Sequence, residues 1–307
     1  MSFPRPKTRC TGILTTRSNQ YDASPGLLQL PIEIRDMIYR RVLGGMLLHS
    51  RRGRFSTGAS RSKWVICRAT ISEKNAQRHF DQAKAPAWYV QDDTNRHAEC
   101  YKTASLQRLD LNLLLVCRQV HREAKHILFS TNTFSFRRSS LLGTFLGLDN
   151  PTNPKQRLRS RSHHLAVCSI HLDISVRCME EAWYWKMIMP QIPEVLPNLS
   201  NINISFTQGT PLFYYEQEDI SKTARDGAAQ WQKLMESLLD LEDLPLRSAT
   251  FDINDRNITH RWSVAETMLI PEVFQEYLMA EKSYRWTIEE KQSRAKAVKD
   301  AILRSSS

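Results

Sequence analysis

Three short segments in the second half of the chain alternate apolar and polar side chains, and they limit the possible folds more than any other feature. SIHLDISV sets Ile170, Leu172, Ile174 and Val176 against His171, Asp173 and Ser175. NINISF repeats the pattern with Ile202, Ile204 and Phe206, and ATFDIND with Phe251 and Ile253. A period of two residues is that of a strand with one face in a core. Between these segments lie EEAWYWKMIMPQIPEVL and DGAAQWQKLMESLLDLE, both helix-like. Alternation of strand and helix favours parallel strands with helices on a face of the sheet. Leucine-containing lead-ins, LPNLS and LEDLPLRS, precede the second and third strands. The two strand-to-strand intervals are too unequal for a strict leucine-rich repeat, so the expectation is an irregular array of that general kind.

The first half is organised around two helical patterns. In LLQLPIEIRDMIYRRVL, Ile34, Met37, Ile38 and Val42 fall on one stripe, with Glu33, Arg35, Asp36, Arg40 and Arg41 on the other side. Pro31 occupies the first turn, where a helix tolerates proline, and Gly44-Gly45 ends it. An apolar helical stripe is usually core, and full burial of those four side chains would contribute roughly 6–10 kcal/mol. The second pattern runs through Leu113, Val116, Cys117, Val120, Ala124 and Ile127 and ends at Ser130-Thr131-Asn132. TFSF after it reads as a short strand, and Ser139 as the cap of a further helix reaching Leu148. Between the two helices, Met46-Leu47-Leu48 and Trp64-Val65-Ile66-Cys67 read as strands around the basic turn SRRGRFSTGASRSK. Residues 75–101 are polar without a clear period, as in a partly structured insertion. The C-terminal segment from Pro271 reads as a helix with a solvated, frayed end.

Composition adds exclusions. A chain of 307 residues, 41% hydrophobic, has material for one large domain or two small ones. It holds no uncharged apolar run of membrane-spanning length, so no membrane partner is expected. The basic N-terminus lacks an apolar signal region and reads as a disordered leader over 1–24. Cysteines 10, 67, 100, 117, 168 and 178 form no close pairs, which suits reduced thiols and a cytoplasmic or nuclear location. A formal net charge of +11 favours acidic partners. Nucleic acid is one such partner class, with Arg157, Arg159 and Arg161 of RLRSRS as the phosphate-contacting candidates.

Chemistry-bearing motifs are scarce. HREAKH spaces His121 and His126 five apart, not four, and displaces Glu123 from the position a metalloprotease helix needs. His163, His164, Cys168 and His171 gather His and Cys in one stretch, yet strand geometry sends Cys168 and His171 to opposite faces. Trp183, Tyr184 and Trp185 cannot all face one side of a helix, so part of that cluster is a candidate partner surface and part is core. With ten glycines in the chain and no nucleophile elbow or carboxylate pair, no catalytic, cofactor or metal residue is assigned, and an enzyme is not expected.

LPIEIRDMIY followed by LLLVCRQVHREAKHILFSTNTFSF resembles a group of F-box-like domains from filamentous fungi, most without an assigned function. The match is dense at Leu30, Pro31, Glu33, Ile34, Arg35, Ile38 and Tyr39, and again at Val116 to Gln119, Glu123, Ala124 and Asn132 to Phe134. In F-box proteins the two helices lie close in sequence and form a small bundle that docks on a Skp1-type adaptor of a cullin ubiquitin ligase. A C-terminal repeat region holds the protein substrate. The resemblance implies an adaptor-facing set of Leu30, Pro31, Ile34, Ile38, Val42, Val116 and Cys117. The expected class is α+β. An F-box-like region over 25–148, with a β-containing insertion at 46–108, leads into a repeat-like region over 149–262 and a helical tail over 263–307. The expected function is protein–protein interaction as a ligase substrate adaptor. The alternatives are a basic nucleic-acid-associated protein and a structural module that binds no adaptor.

Overall fold

A computed structural model describes residues 26–53, 61–67, 69, 72–82, 97, 100, 109, 111–148, 163–175, 179–208, 232–255 and 286–304. The leader, the RLRSRS stretch and Pro271 lie outside the described residues.

The alternating segments are strands, and they belong to one six-stranded sheet of order β2-β1-β3-β4-β5-β6. The strands are β1 (Leu47–Gly53), β2 (Arg61–Ile66), β3 (Thr133–Phe136), β4 (Ser169–Ser175), β5 (Asn201–Gln208) and β6 (Ser248–Asp255). The two strands expected around the basic turn, β1 and β2, pair antiparallel, and every other pairing is parallel. Helices among the described residues include α1 (Ile32–Leu43), α2 (Glu73–Gln82), α3 (Asn112–Leu115), α4 (Arg118–Ser130), α5 (Ser139–Leu146), α6 (Met179–Ile188), α7 (Gln191–Val195) and α8 (Ile288–Arg304). The class is α+β.

Register stacks the apolar face in layers. Leu48, Phe134, Ile170, Ile202 and Ala249 lie side by side across five strands, followed by Phe136, Leu172, Ile204 and Phe251, then Ile174, Phe206 and Ile253. All are buried, against Leu142 of α5, Trp185 of α6, Ile192 of α7, Leu238 and Leu241 of a 3₁₀ turn, and Ile302 of α8. From β3 onward each strand is added to the same edge, so right-handed crossovers put the intervening helices on one side of the sheet.

Four expectations change. The boundary placed at 148/149 falls inside the sheet: β3 pairs with β4 in register, so β1, β3 and α5 share a core with β4 to β6, while α1, α3 and α4 pack in a second cluster. The C-terminal helix is not a solvated tail. Lys291, Ala295, Val298 and Ile302 are buried at helical spacing in α8, where they cover the β6 end of the sheet. The insertion contains α2, which burial of Ala76, Gln77 and Phe80 holds in place. Gln77 Oε1 accepts from the Phe251 backbone N–H, and Gln292 Nε2 of α8 donates to the Phe80 carbonyl at 2.8 Å, so α2 shields the edge strand β6. Ser139, expected as a cap, is the first residue of α5, which ends on left-handed Gly147.

The opposite face of the sheet is polar and carries hydrogen-bonded ladders. Thr133 Oγ1 meets Ser169 Oγ at 2.8 Å, Ser248 donates to Asn201 Oδ1 at 2.7 Å, and Thr250 to Asn203 Oδ1 at 2.8 Å. A longer chain crosses five strands. His49 Nδ1 to Ser135 Oγ is 3.0 Å, Ser135 Oγ to His171 Nδ1 2.8 Å, His171 Nε2 to Ser205 Oγ 3.3 Å, and Ser205 Oγ to Asp252 Oδ1 3.0 Å. All five residues are buried, and their mutual hydrogen bonds offset the cost of placing polar groups there.

Candidate protein-docking surface

The two patterned helices lie together despite the insertion between them. α1 turns at Gly44-Gly45 into β1, and α4 turns at Thr131-Asn132 into β3, the parallel neighbour of β1. Arg35, in the first turns of α1, meets Glu123 in the first half of α4, and Leu43 at the end of α1 meets Asn132 just beyond α4. The helices therefore run parallel, each delivering its chain to adjacent strands. They lead directly into the sheet and pack on one another in an apolar cluster of their own, formed by Tyr39, Leu43, Leu114, Val120, Ala124 and Ile127.

Polar side chains hold the pair. The Arg35 guanidinium grips Glu123 with two hydrogen bonds, Nε to Oε2 at 2.9 Å and Nη2 to Oε1 at 2.8 Å. Tyr39 donates its hydroxyl to Oε2 at 2.9 Å, and Gln119 donates to Oε1 at 2.9 Å. The Arg35 fork foremost, then Gln119, holds the Glu123 carboxyl at about 2, well below its ordinary 4.5. Burial pushes the Tyr39 phenol up, which keeps it a donor. At the other end Asn132 donates to the carbonyls of Leu43 and Leu128 and accepts from the Met46 N–H at 2.8 Å. Gly44 passes so close to the Thr131 side chain that a Cβ would collide with it, and Gly45, at φ +72°, takes the left-handed conformation glycine favours.

This geometry overturns the expected facing of α1. Its inward row is half-buried Arg35 with buried Tyr39 and Leu43, four residues apart, the last two packed with Leu114, Val120, Ala124 and Ile127. The stripe expected as core lies one residue back on the helix. Ile34 is 43% exposed, Met37 65% and Val42 49%, with Ile38 half-buried, so the burial energy assigned to these four is not realised. Arg35, expected on the wet side, is sheltered because its charge is paired and hydrogen-bonded.

The remaining candidates are divided. Leu30 is half-buried and its carbonyl accepts from Arg35, while Pro31 is exposed at the N-cap of α1. Val116 is 66% exposed in the break between α3 and α4. Cys117 is half-buried as the N-cap of α4, its sulfur accepting from the Val120 N–H at 3.5 Å. Leu111 and Leu115 are exposed nearby. Beside them Leu114, Leu115 and Cys117 line a shallow groove of about 490 Å³ with Arg118, His121, Arg122 and Lys125. Its lining combines apolar with cationic side chains.

Elsewhere the His/Cys stretch disperses. His163 stacks on Phe129 with centroids 4.6 Å apart, His164 bonds the Phe145 carbonyl at 2.7 Å, and His171 joins the ladder of the polar sheet face. The aromatic triplet splits as helical geometry requires, with Trp185 buried and Trp183 and Tyr184 exposed. Sequence reading missed a different group, His49, Cys67, His97 and Cys100, whose ligand atoms all lie within 4.8 Å of one another. Only the His97-x-x-Cys100 spacing signals it along the chain.

Residues 19–167 match the family model of a domain of unknown function, DUF7730. The matched region holds both helices, the residues that clamp them and strands β1 to β3; β4 to β6 lie beyond it. No curated protein and no solved structure matches the chain. Among the described residues, no helix is long and apolar enough to cross a membrane.

Proposed function

We propose that this protein is an interaction module that docks a Skp1-type adaptor through the exposed apolar row of α1 and the α3–α4 break, as a substrate adaptor of a cullin ubiquitin ligase. One observation carries the reading. The polar motif residues Arg35, Tyr39, Glu123 and Asn132 are consumed in holding the helices, while Ile34, Met37, Val42 and Val116 are left in water. An apolar surface that contributes little to its own fold is what a partner can bury. The docked partner brings apolar side chains for the α1 row and acidic ones for Arg118, Arg122 and Lys125 of the groove. The sheet and the helices packed on it would be the part that presents a protein substrate.

A pull-down of the full chain with the adaptor tests this, comparing wild type with Ile34→Asp and Val116→Asp. Both positions are exposed, so each change is expected to cost about 1 kcal/mol of stability or less and to abolish recovery of the adaptor. Folded wild type that recovers no adaptor would sink the ligase reading. The nucleic-acid reading predicts salt-sensitive RNA or DNA affinity that Arg157, Arg159 and Arg161→Ala changes remove. Persistence of adaptor binding in those variants would separate the two.

A further inference from the structure

We propose that His49, Cys67, His97 and Cys100 form a closed Cys₂His₂ site for one zinc ion, which pins the insertion to the polar face of the sheet. The four come from three places: His49 from β1, Cys67 from the residue after β2, and His97 and Cys100, three residues apart and joined by a hydrogen bond from the Cys100 N–H to the His97 carbonyl. The His97 ring lies 4.6 Å from the His49 ring and 5.2 Å from that of His171, so residue 97 sits on the polar ladder.

The two separations from Cys67 match a tetrahedral ligand set, and the whole group, within 4.8 Å, needs only a small contraction to close on one ion. Zinc bonds of about 2.3 Å to sulfur and about 2.0–2.1 Å to nitrogen, at tetrahedral angles, place sulfurs about 3.8 Å apart and sulfur from nitrogen about 3.6 Å. Cys67 Sγ and Cys100 Sγ are 3.8 Å apart, and Cys67 Sγ and His97 Nδ1 are 3.4 Å apart. A disulfide would hold the sulfurs at about 2.05 Å. His49, His97 and Cys100 are buried and Cys67 is half-buried, which leaves no open coordination position of the kind a catalytic zinc keeps.

The surroundings supply what a zinc site needs beyond its ligands. Two thiolates balance the ion's charge, so the cluster enters the interior neutral. The Ala69 backbone N–H donates to Cys67 Sγ at 3.3 Å, which favours the thiolate. His49 uses Nδ1 toward Ser135 and presents Nε2 to the ion. Behind Ser135 the chain through His171 and Ser205 ends on the Asp252 carboxylate. Such an outer chain orients a ligating imidazole and raises its basicity. Buried polar groups that extend across five strands thereby acquire a common role.

The test is metal content of the full chain purified under reducing conditions without chelator. One zinc per chain is expected, along with the thiolate-to-metal charge-transfer and tetrahedral ligand-field bands when cobalt replaces it. Cys67→Ser with Cys100→Ser should lose both signals, and Ser135→Ala should weaken zinc binding roughly tenfold through the second shell. Wild-type protein decides the matter even if the variants do not fold: removing zinc with a chelator should expose Cys67 and Cys100 to thiol reagents and lower the melting temperature. Wild type that takes up neither zinc nor cobalt overturns the proposal. So does a Cys67–Cys100 disulfide, seen as loss of two hydrogens in mass, in protein that carries no metal.

Discussion

Asn132→Ala should be among the most damaging single changes outside the apolar core. The side chain is fully buried and serves three backbone groups. It donates to the Leu43 carbonyl at 2.5 Å and the Leu128 carbonyl at 2.8 Å, and accepts from the Met46 N–H at 2.8 Å. Both carbonyls lie in the last turn of a helix, where no intrahelical donor follows, so Asn132 is the partner that replaces the missing turn. A buried group left unsatisfied costs about 1–3 kcal/mol; with Leu128 and Met46 half-buried, three such groups sum to about 3–5 kcal/mol. Urea unfolding followed by circular dichroism reads this as a lower midpoint at unchanged slope. Asn132→Asp sharpens the test. It keeps the acceptor for Met46 but aims lone pairs at two carbonyls, so near neutral pH it should cost at least as much as alanine. Those carbonyls raise the folded-state pKa of the substituted carboxyl; its contribution is present below the unfolded value and lost as pH rises. The Asn132→Asp deficit should therefore shrink in acid. A loss under about 1 kcal/mol for Asn132→Ala would refute the view that this amide joins the two helix ends to the sheet.

Two further predictions concern the clamp and the aromatic triplet. Glu123 is held at about 2 against 4.5 in the unfolded chain, so its stabilisation is complete above 4.5 and is lost as pH falls toward 2. The stability gap between wild type and Glu123→Gln should close over that window, and a gap independent of pH would remove the ion pair from the account. Trp185→Ala should cost about 3–5 kcal/mol and Trp183→Ala about 0.5 kcal/mol, since the first is enclosed and the second is 56% exposed. Melting temperatures that fall equally would contradict the facing of α6.

Much of the sheet was legible because its strands bury one face only. Where Ile170, Leu172 and Ile174 alternate with His171 and Asp173, a period of two has a single structural meaning. The same logic misplaced α1, because hydrophobic periodicity reports where apolar residues are, and the interior contact of this helix is made by Arg35 and Tyr39. A paired guanidinium scores as surface in any pattern. α2 escaped because glutamine and histidine outnumber its buried Ala76 and Phe80. The His/Cys group escaped because residues far apart in sequence supply it, and only the folded chain brings them together.

β1 links the two proposed sites, and the linkage separates them experimentally. Its start is tied to the helix pair through Asn132 and Met46, and its third residue, His49, belongs to the His/Cys group. The helix clamp itself uses Arg35, Tyr39, Glu123 and Asn132, none of which touches that group. Loss of zinc would thus release Cys67, His97 and Cys100 from the sheet face while leaving the α1–α4 contact intact. Zinc-site variants should be less stable yet still present Ile34, Met37 and Val42 for docking. Glu123 and Asn132 variants should disturb that presentation and keep the metal. If docking and zinc content instead fell together in both sets, the helix pair and the insertion would be one cooperative unit, and the assignment of separate structural and docking roles would fail.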